Sequence, residues 1–134
     1  MLETVTKKLL NNYGLKTLAK GEKGYIEVYE GNGFKRDMSY HQGITWPWLL
    51  GLYYDALKNV MQSQKNKANR KAYEEKLEQF IEKTTQTFTK AIDNDAVIGS
   101  ISELYDSKKP YLPKGAPAQA WSVAEVYRII LKGK

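Results

Sequence analysis

The C-terminal segment, residues 118–132, predicts a helix with apolar side chains around almost its whole circumference. A helix without a polar face has to be covered by neighbouring elements on most sides. The rest of the sequence offers only about three more helical segments, too few to bury such a helix completely. We therefore expect the chain to be one part of a larger assembly. The apolar residues of the segment are Ala120, Trp121, Val123, Ala124, Val126, Tyr127, Ile129, Ile130 and Leu131.

Hydrophobic periodicity predicts three further helices, over residues 2–13, 46–62 and 70–92. Gly14 is predicted to end the first helix, because glycine readily adopts positive φ. Thr45 is predicted to cap the second, with its hydroxyl accepting from a free backbone N–H. The third helix carries Lys and Glu on one side, and that side is expected to be exposed.

Two long connections separate these helices, over residues 15–40 and 93–118. The alternation in Tyr25–Tyr29 predicts a short strand within the first connection. Connections of this length are usually functional. The expected fold is therefore all-α, with short β segments in the connections, and we expect residues 1–134 to form a single domain.

Composition excludes several classes of protein. The chain has no cysteine and a single histidine, which excludes a disulfide scaffold, a thiol nucleophile and multi-histidine metal sites, so we expect no metal or cofactor. The net charge of +6 is scattered without interleaved aromatic residues, so we expect no nucleic-acid partner. No apolar run approaches the roughly 20 residues of a membrane span, and a signal-peptide pattern is absent, so we expect a cytoplasmic protein with no membrane contact.

The segment Arg36–Trp48 concentrates the chemistry, with a guanidinium, a carboxylate, an imidazole, an amide and two indoles in 13 residues. Sugar-binding sites use this mixture, because aromatic faces cover the apolar side of a pyranose and planar polar groups bind its hydroxyls. A structural interpretation remains open for each member. The tryptophans alone would anchor a core, His41 alone would be a hydrogen-bonded core residue, and Arg36 with Asp37 would form an ordinary ion pair.

Two later segments carry weaker signals. In Ile98–Asp106, Glu103 stands in a predicted loop between apolar residues, a setting that can tune the pKa of a carboxyl group. Its alternative interpretation is a hydrogen-bonded loop acid. In Lys114–Glu125, a predicted proline turn precedes Gln119 and Trp121, which lie at the start of the apolar helix.

Four blocks in this order, residues 13–19, 36–51, 99–106 and 115–125, resemble the C-terminal part of glycogen debranching enzymes. The resemblance extends from about residue 9 to residue 131. It implies the last third of an amylo-α-1,6-glucosidase domain, an (α/α)6 toroid that hydrolyses the α-1,6-linked glucose of a trimmed branch point. The expected ligand is therefore an α-glucan, and the expected fold a partial toroid of about four helices.

The resemblance also implies roles for individual residues. Glu103 falls at the position of the general base of the family. The family's general acid lies in helices upstream of the matching region, so we expect the chain alone to be inactive. The residues placed in or beside the sugar-binding funnel are Arg36, Asp37, Tyr40, His41, Gln42, Trp46, Gln119 and Trp121.

Three functional interpretations remain open. The chain can complete a glucosidase by binding a separately encoded upstream portion, it can be a non-catalytic glucan-binding or regulatory module, or it can be the remnant of a truncated gene. The apolar residues over 123–131 are expected to lack part of their cover. A large exposed apolar patch marks an interface. We therefore expect either a twofold homodimer or binding to the upstream portion.

Overall fold

A computed structural model describes residues 1–133. This part of the chain has five helices, α1 Leu2–Lys8, α2 Gly33–Tyr40, α3 Leu49–Ser63, α4 Lys67–Asn94 and α5 Ala120–Lys132. It also has five short strands, β1 Leu10–Asn11, β2 Gly14–Lys16, β3 Thr45–Trp46, β4 Leu104–Tyr105 and β5 Pro113–Lys114. The expected mostly helical class is confirmed, although the β content is organised as one sheet. Within residues 1–133, no helix is both long enough and apolar enough to cross a membrane.

The core is built where α3, α4 and α5 pack against one another. Helix α4 is amphipathic, with Phe80, Thr84, Phe88 and Ala91 buried along one side, as helical spacing requires. The predicted exposure of its Lys and Glu residues is confirmed. Each large apolar side chain buried in this way contributes about 1.5–3 kcal/mol to folding.

Helices α3 and α5 approach each other closely at Gly51, where an added Cβ would lie 1.7 Å from the Glu125 carboxylate. The Arg128 guanidinium of α5 forms ion pairs at the same contact between the two helices. It donates to both carboxylate oxygens of Asp55, each at 2.9 Å, and to Glu125 at 2.7 Å. At the N-terminal end of the pair, the rings of Trp48 and Trp121 stack with centroids 5.4 Å apart. The start of α5 is thereby fixed against α3.

The five strands form one antiparallel sheet in the order β1-β2-β3-β4-β5. Strand β3 follows the first long connection, β4 lies within the second, and Thr45 pairs directly with Tyr105. This pairing brings together two parts of the chain that are distant in sequence. The sheet therefore positions the end of α2 close to the residues that precede β4.

Thr45 is fully buried and forms the middle of a hydrogen-bond chain. The Asn11 amide donates to Thr45 Oγ1 at 2.7 Å, and Thr45 Oγ1 lies 2.6 Å from Ser107 Oγ. Because the Ser107 hydroxyl donates to the Gly43 carbonyl, Thr45 has to donate to Ser107. The chain of donors connects the loop before β3, the β1–β2 hairpin and the segment after β4.

The predicted N-cap role of Thr45 is wrong. Helix α3 begins at Leu49 with Trp48 in the cap position, and no side chain caps it there. Threonine and tryptophan favour the half-buried pleated surface of a strand, and pairing on both sides of β3 satisfies the backbone of Thr45 and Trp46.

Three other features of residues 1–40 differ from the prediction. Helix α1 ends at Lys8 rather than at residue 13, because residues 10–16 form the β1–β2 hairpin, in which Gly14 begins β2. Tyr25–Tyr29 is irregular rather than a strand. Helix α2 was not expected at all, although Asn32 caps it by accepting from the Lys35 N–H at 3.0 Å.

Helix α5 forms as predicted, but burial on most sides does not occur in residues 1–133. Ser122, Val126 and Ile129 face the core. On the opposite side, Tyr127 and Leu131 are 59% and 48% exposed, in line with Val123 one turn earlier. The predicted lack of cover over this part of the helix is confirmed.

Replacing Thr45 with valine tests the dependence of the fold on the hydrogen-bond chain. Valine keeps the shape and the strand preference but leaves the Asn11 donor and the Ser107 hydroxyl without their partner, so the free energy of unfolding should fall by about 1–3 kcal/mol. Urea unfolding measures the change, with the exposed Thr4→Val as the control, expected within about 0.5 kcal/mol of the unmodified chain. Equal stability of the two variants would contradict the assignment.

Candidate functional site

A cleft of about 700 Å3 opens between helix α2 and the β4–β5 hairpin. Each wall carries charged groups, and three carboxylates and two cations line the cleft together. The lining comprises Tyr29, Glu30, Gly31, Arg36, Asp37 and Tyr40 from the first connection, with Glu103, Lys114, Gly115 and Ala116 from the second.

Glu103 is the most constrained carboxylate of this cleft. It is half-buried directly before β4, and its backbone N–H donates to the Ala116 carbonyl at 2.9 Å. Its Oε2 accepts from the Ala116 N–H at 3.0 Å, and its Oε1 accepts from the Tyr40 hydroxyl. Because both carboxylate oxygens are held, the orientation of the group in the cleft is fixed.

Gly115 is required by this arrangement for two reasons. Its φ of 70° lies in the left-handed region, which favours glycine. A Cβ at this position would lie 2.4 Å from Glu103 Oε2, inside contact distance. The absence of a side chain therefore allows the carboxylate to reach the Ala116 N–H.

The Tyr40 hydroxyl is held as a neutral donor. Burial raises its pKa above the ordinary value for tyrosine, and the hydrogen bond to the Glu103 carboxylate raises the pKa further. The ring lies edge-on to Trp46, with centroids 4.7 Å apart. Tyr40 therefore remains protonated at neutral pH and donates to the carboxylate.

A row of aromatic rings continues from Tyr40 along one side of the site. The exposed His41 ring stacks on Trp46, with centroids 5.4 Å apart and planes 8° apart. Trp46 Nε1 donates to the Tyr40 carbonyl at 3.1 Å, and Trp46 meets Trp121 edge-on. Trp46 is only 3% exposed, whereas Trp121 is 46% exposed, so Trp121 offers the open aromatic surface and Trp46 supports it.

The structure brings four of the sequence-predicted residues to one cleft: Arg36, Asp37, Tyr40 and Glu103. His41, Trp46 and Trp121 form the adjoining aromatic row. Gln42 and Gln119 do not line the cleft. The backbone carbonyl of Gln42 accepts from the Ile26 N–H at 2.6 Å, and the Gln119 side chain accepts from the first N–H of α5 at 3.1 Å.

Sequence reasoning missed Tyr29, Glu30 and Lys114 as part of the lining. Lys114 lies opposite Leu104 in the β4–β5 pairing, and this register placed it beside Glu103. The sequence carried no signal for that register, since the strands are two residues long. Across residues 1–133 there is no group of three or more His, Cys, Asp or Glu side chains placed to hold a metal ion.

The fold and the cleft define a helical protein with an oriented carboxylate, charged hydrogen-bonding groups and an exposed tryptophan, the chemistry that suits hydroxyl-rich ligands. The chain belongs to the amylo-alpha-1,6-glucosidase family, whose model matches residues 1–128. It is therefore a domain related to the glucosidases of glycogen debranching.

Substituting Gly115 tests how the Glu103 carboxylate is held, and Gly99 provides a matched control. Both glycines have positive φ, but an added Cβ at Gly99 meets no atom within 4 Å. Alanine at either position should lower the free energy of unfolding by about 1–2 kcal/mol, from the left-handed backbone alone. Only Gly115→Ala should also displace the carboxylate and expose the Ala116 N–H.

Hydrogen exchange measured by NMR distinguishes the two variants. The Ala116 amide should exchange faster in Gly115→Ala than in Gly99→Ala, after correction for the change in global stability. Equal protection of this amide in both variants would show that the carboxylate is not held through Gly115.

Proposed function

We propose that this chain forms part of an α-1,6-glucosidase site in which Glu103 is the general base. The observation that carries the proposal is the fixation of the Glu103 carboxylate, held on both oxygens at the edge of an open cleft. A base that takes a proton from water has to be oriented toward the reacting centre. The family membership indicates which bond is hydrolysed, a glucosidic α-1,6 linkage.

The reaction requires two carboxyl groups on opposite sides of the scissile bond. In an inverting glycosidase they stand roughly 6.5–9.5 Å apart, so that a water molecule fits between the base and the sugar. Glu103 accepts a proton from that water while the water oxygen attacks the anomeric carbon. A second carboxyl group protonates the departing oxygen.

Substrate binding in this proposal uses both parts of the site. Arg36 and Asp37 face the cleft and offer planar, bidentate hydrogen bonding to neighbouring sugar hydroxyls. The exposed ring of Trp121, which stacks on Trp48 and meets Trp46 edge-on, covers the apolar face of a pyranose. His41, Gln42 and Gln119 do not line the cleft, so in this proposal they lie beside it, and Arg36 and Asp37 make the hydroxyl contacts.

The general acid comes, in this proposal, from a polypeptide segment outside these 134 residues. The preferred source is an upstream portion of the glucosidase domain, which would complete an (α/α)6 toroid and cover the exposed side of α5. A homodimer through the same side of α5 is the alternative partner. A cytoplasmic location belongs to the same proposal, as does the inactivity of the chain alone, because a missing general acid costs about 100- to 10,000-fold in rate.

A second candidate function is a non-catalytic glucan-binding module. The observation in its favour is the half-exposed Trp121 ring beside a polar cleft, which can bind a sugar without any reaction. Both functions require glucan binding, and they differ in whether Glu103 carries out proton transfer. A gene remnant would neither bind nor react.

The test combines this chain with the upstream portion of an amylo-α-1,6-glucosidase domain and measures glucose release from an α-1,6-glucosyl substrate. Glu103→Gln keeps the size of the side chain but removes the proton acceptor, so the rate should fall by about 100- to 10,000-fold. Glu30→Gln is the matched control, since Glu30 lines the same cleft, and it should change the rate only a few-fold.

Three outcomes would contradict the catalytic proposal. One is rapid glucose release by the 134-residue chain alone. Another is full activity of the assembly that contains Glu103→Gln. The third is an assembly that binds the glucan and never releases glucose, which would support the binding module.

A further inference from the structure

We propose that Lys114 is a ligand-contacting residue of the cleft and that the buried Asp106 positions it. This inference rests on the proposed function, because it assumes that the cleft binds a glucan. It adds a cationic hydrogen-bond donor to a site otherwise described by Glu103, Arg36 and the aromatic row. Neither residue was assigned a role from the sequence.

Asp106 is a buried charge with two partners from different walls of the cleft. Only 3% of the residue is exposed. Its Oδ1 accepts from the Tyr29 N–H at 2.8 Å, and its Oδ2 lies 3.8 Å from Lys114 Nζ. A buried carboxylate without such partners is costly. One carboxylate therefore hydrogen-bonds the Tyr29 backbone and forms an ion pair with Lys114.

Lys114 both forms the ion pair with Asp106 and reaches the cleft. Its side chain is 26% exposed and lines the same cleft as Glu103. An ammonium group has three N–H donors, and the contact with Asp106, at 3.8 Å, is an ion pair longer than a hydrogen bond. Donors of Lys114 therefore remain for the oxygen atoms of a ligand.

The ion pair of Lys20 with Glu27, on the protein surface, contrasts with the ion pair of Lys114 with Asp106. Its two charged atoms are closer, 3.5 Å apart, but the Lys20 side chain is 74% exposed and free to move. Exposed ion pairs of this kind contribute little to structure. The Lys114 pair instead has a carboxylate with a 5% exposed side chain that is also hydrogen-bonded to the backbone.

The arrangement favours a neutral, hydroxyl-rich ligand over a charged one. Lys114 and Arg36 donate hydrogen bonds to hydroxyl oxygens, while the carboxylates of the same cleft accept from hydroxyl protons. A sugar hydroxyl can do both at once. An anionic ligand would meet three carboxylates, and a cationic ligand would meet the two cations.

The experiment measures the dissociation constant of isomaltose, an α-1,6-linked disaccharide, for the 134-residue chain by isothermal titration calorimetry. Lys114→Met keeps most of the stem and removes the donors, and it should weaken binding about 10-fold or more. Lys114→Arg restores a cationic donor and should stay within a few-fold of the unmodified chain. Lys20→Met is the matched control and should bind as the unmodified chain does.

The positioning role of Asp106 is tested by a double-mutant cycle. Asp106→Asn keeps an acceptor for the Tyr29 N–H but loses the charge that holds Lys114, so binding should weaken. If Asp106 acts through Lys114, the double variant should bind no more weakly than Lys114→Met alone. Fully additive losses would overturn the positioning role.

The outcomes separate this inference from the proposed function. If the unmodified chain does not bind isomaltose, the present inference fails, whereas the glucose-release assay of the assembly decides the proposed function. If it binds and Lys114→Met binds equally well, only the present inference is overturned, and the ion pair is structural. Circular dichroism verifies folding of each variant, and Lys114→Gln replaces Lys114→Met if the latter does not fold.

Discussion

The pairing of β3 with its two neighbours is the constraint on which the rest of the site depends. Thr45 pairs through its backbone with Lys16 on one side and Tyr105 on the other. Its buried hydroxyl connects the same segments through Asn11 and Ser107. This junction fixes the two long connections relative to each other, together with the hydrogen bond from the Tyr29 N–H to Asp106. With it, Tyr40 ends α2 within hydrogen-bond distance of Glu103.

The orientation of the Glu103 carboxylate follows from the position of Tyr40 beside it. A carboxylate used as a base needs one orientation, and three parts of the chain fix it here: the Tyr40 hydroxyl, the Ala116 N–H and the backbone at Gly115. The aromatic row supports Tyr40 from behind and presents Trp121 at the surface. The oriented carboxylate and the proposed sugar-binding surface thus result from one set of contacts.

Much of the helical structure could be predicted from the sequence, because α3, α4 and α5 each have an apolar pattern with helical period. The sheet could not be predicted. Its strands are two or three residues long, and their pairing depends on side chains such as Thr45, whose hydroxyl suits a helix cap equally well. Helix α2 was missed because the glycines around Asn32 resembled a loop.

The site residues were predicted unevenly for a similar reason. Arg36, Asp37 and Tyr40 stood in a dense polar segment and Glu103 was indicated by the family resemblance, and all four line one cleft. The resemblance places Trp46 in or beside the sugar-binding funnel, with a core anchor as the alternative, and its burial makes it a support for the rings around it. Lys114 and Asp106 became visible only through the register of the hairpin and the contact with Tyr29.

The exposed side of α5 is the surface that the proposed partner would cover. Its apolar residues face away from the core that α3 and α4 provide. A helix of this kind is covered on its second side by another element in a complete fold. The proposed binding surface and the uncovered helix both fit a chain that supplies one wall of a larger site.

The most direct test of the central claim is an NMR titration of the chain with isomaltose. The account predicts that the largest amide shifts occur around the Glu103 cleft, at Tyr40, Glu103 and Ala116, and that Glu103→Gln alters the pattern there. Amide shifts confined to another surface, or no amide shifts at high isomaltose concentration, would contradict the assignment of this cleft as a glucan site.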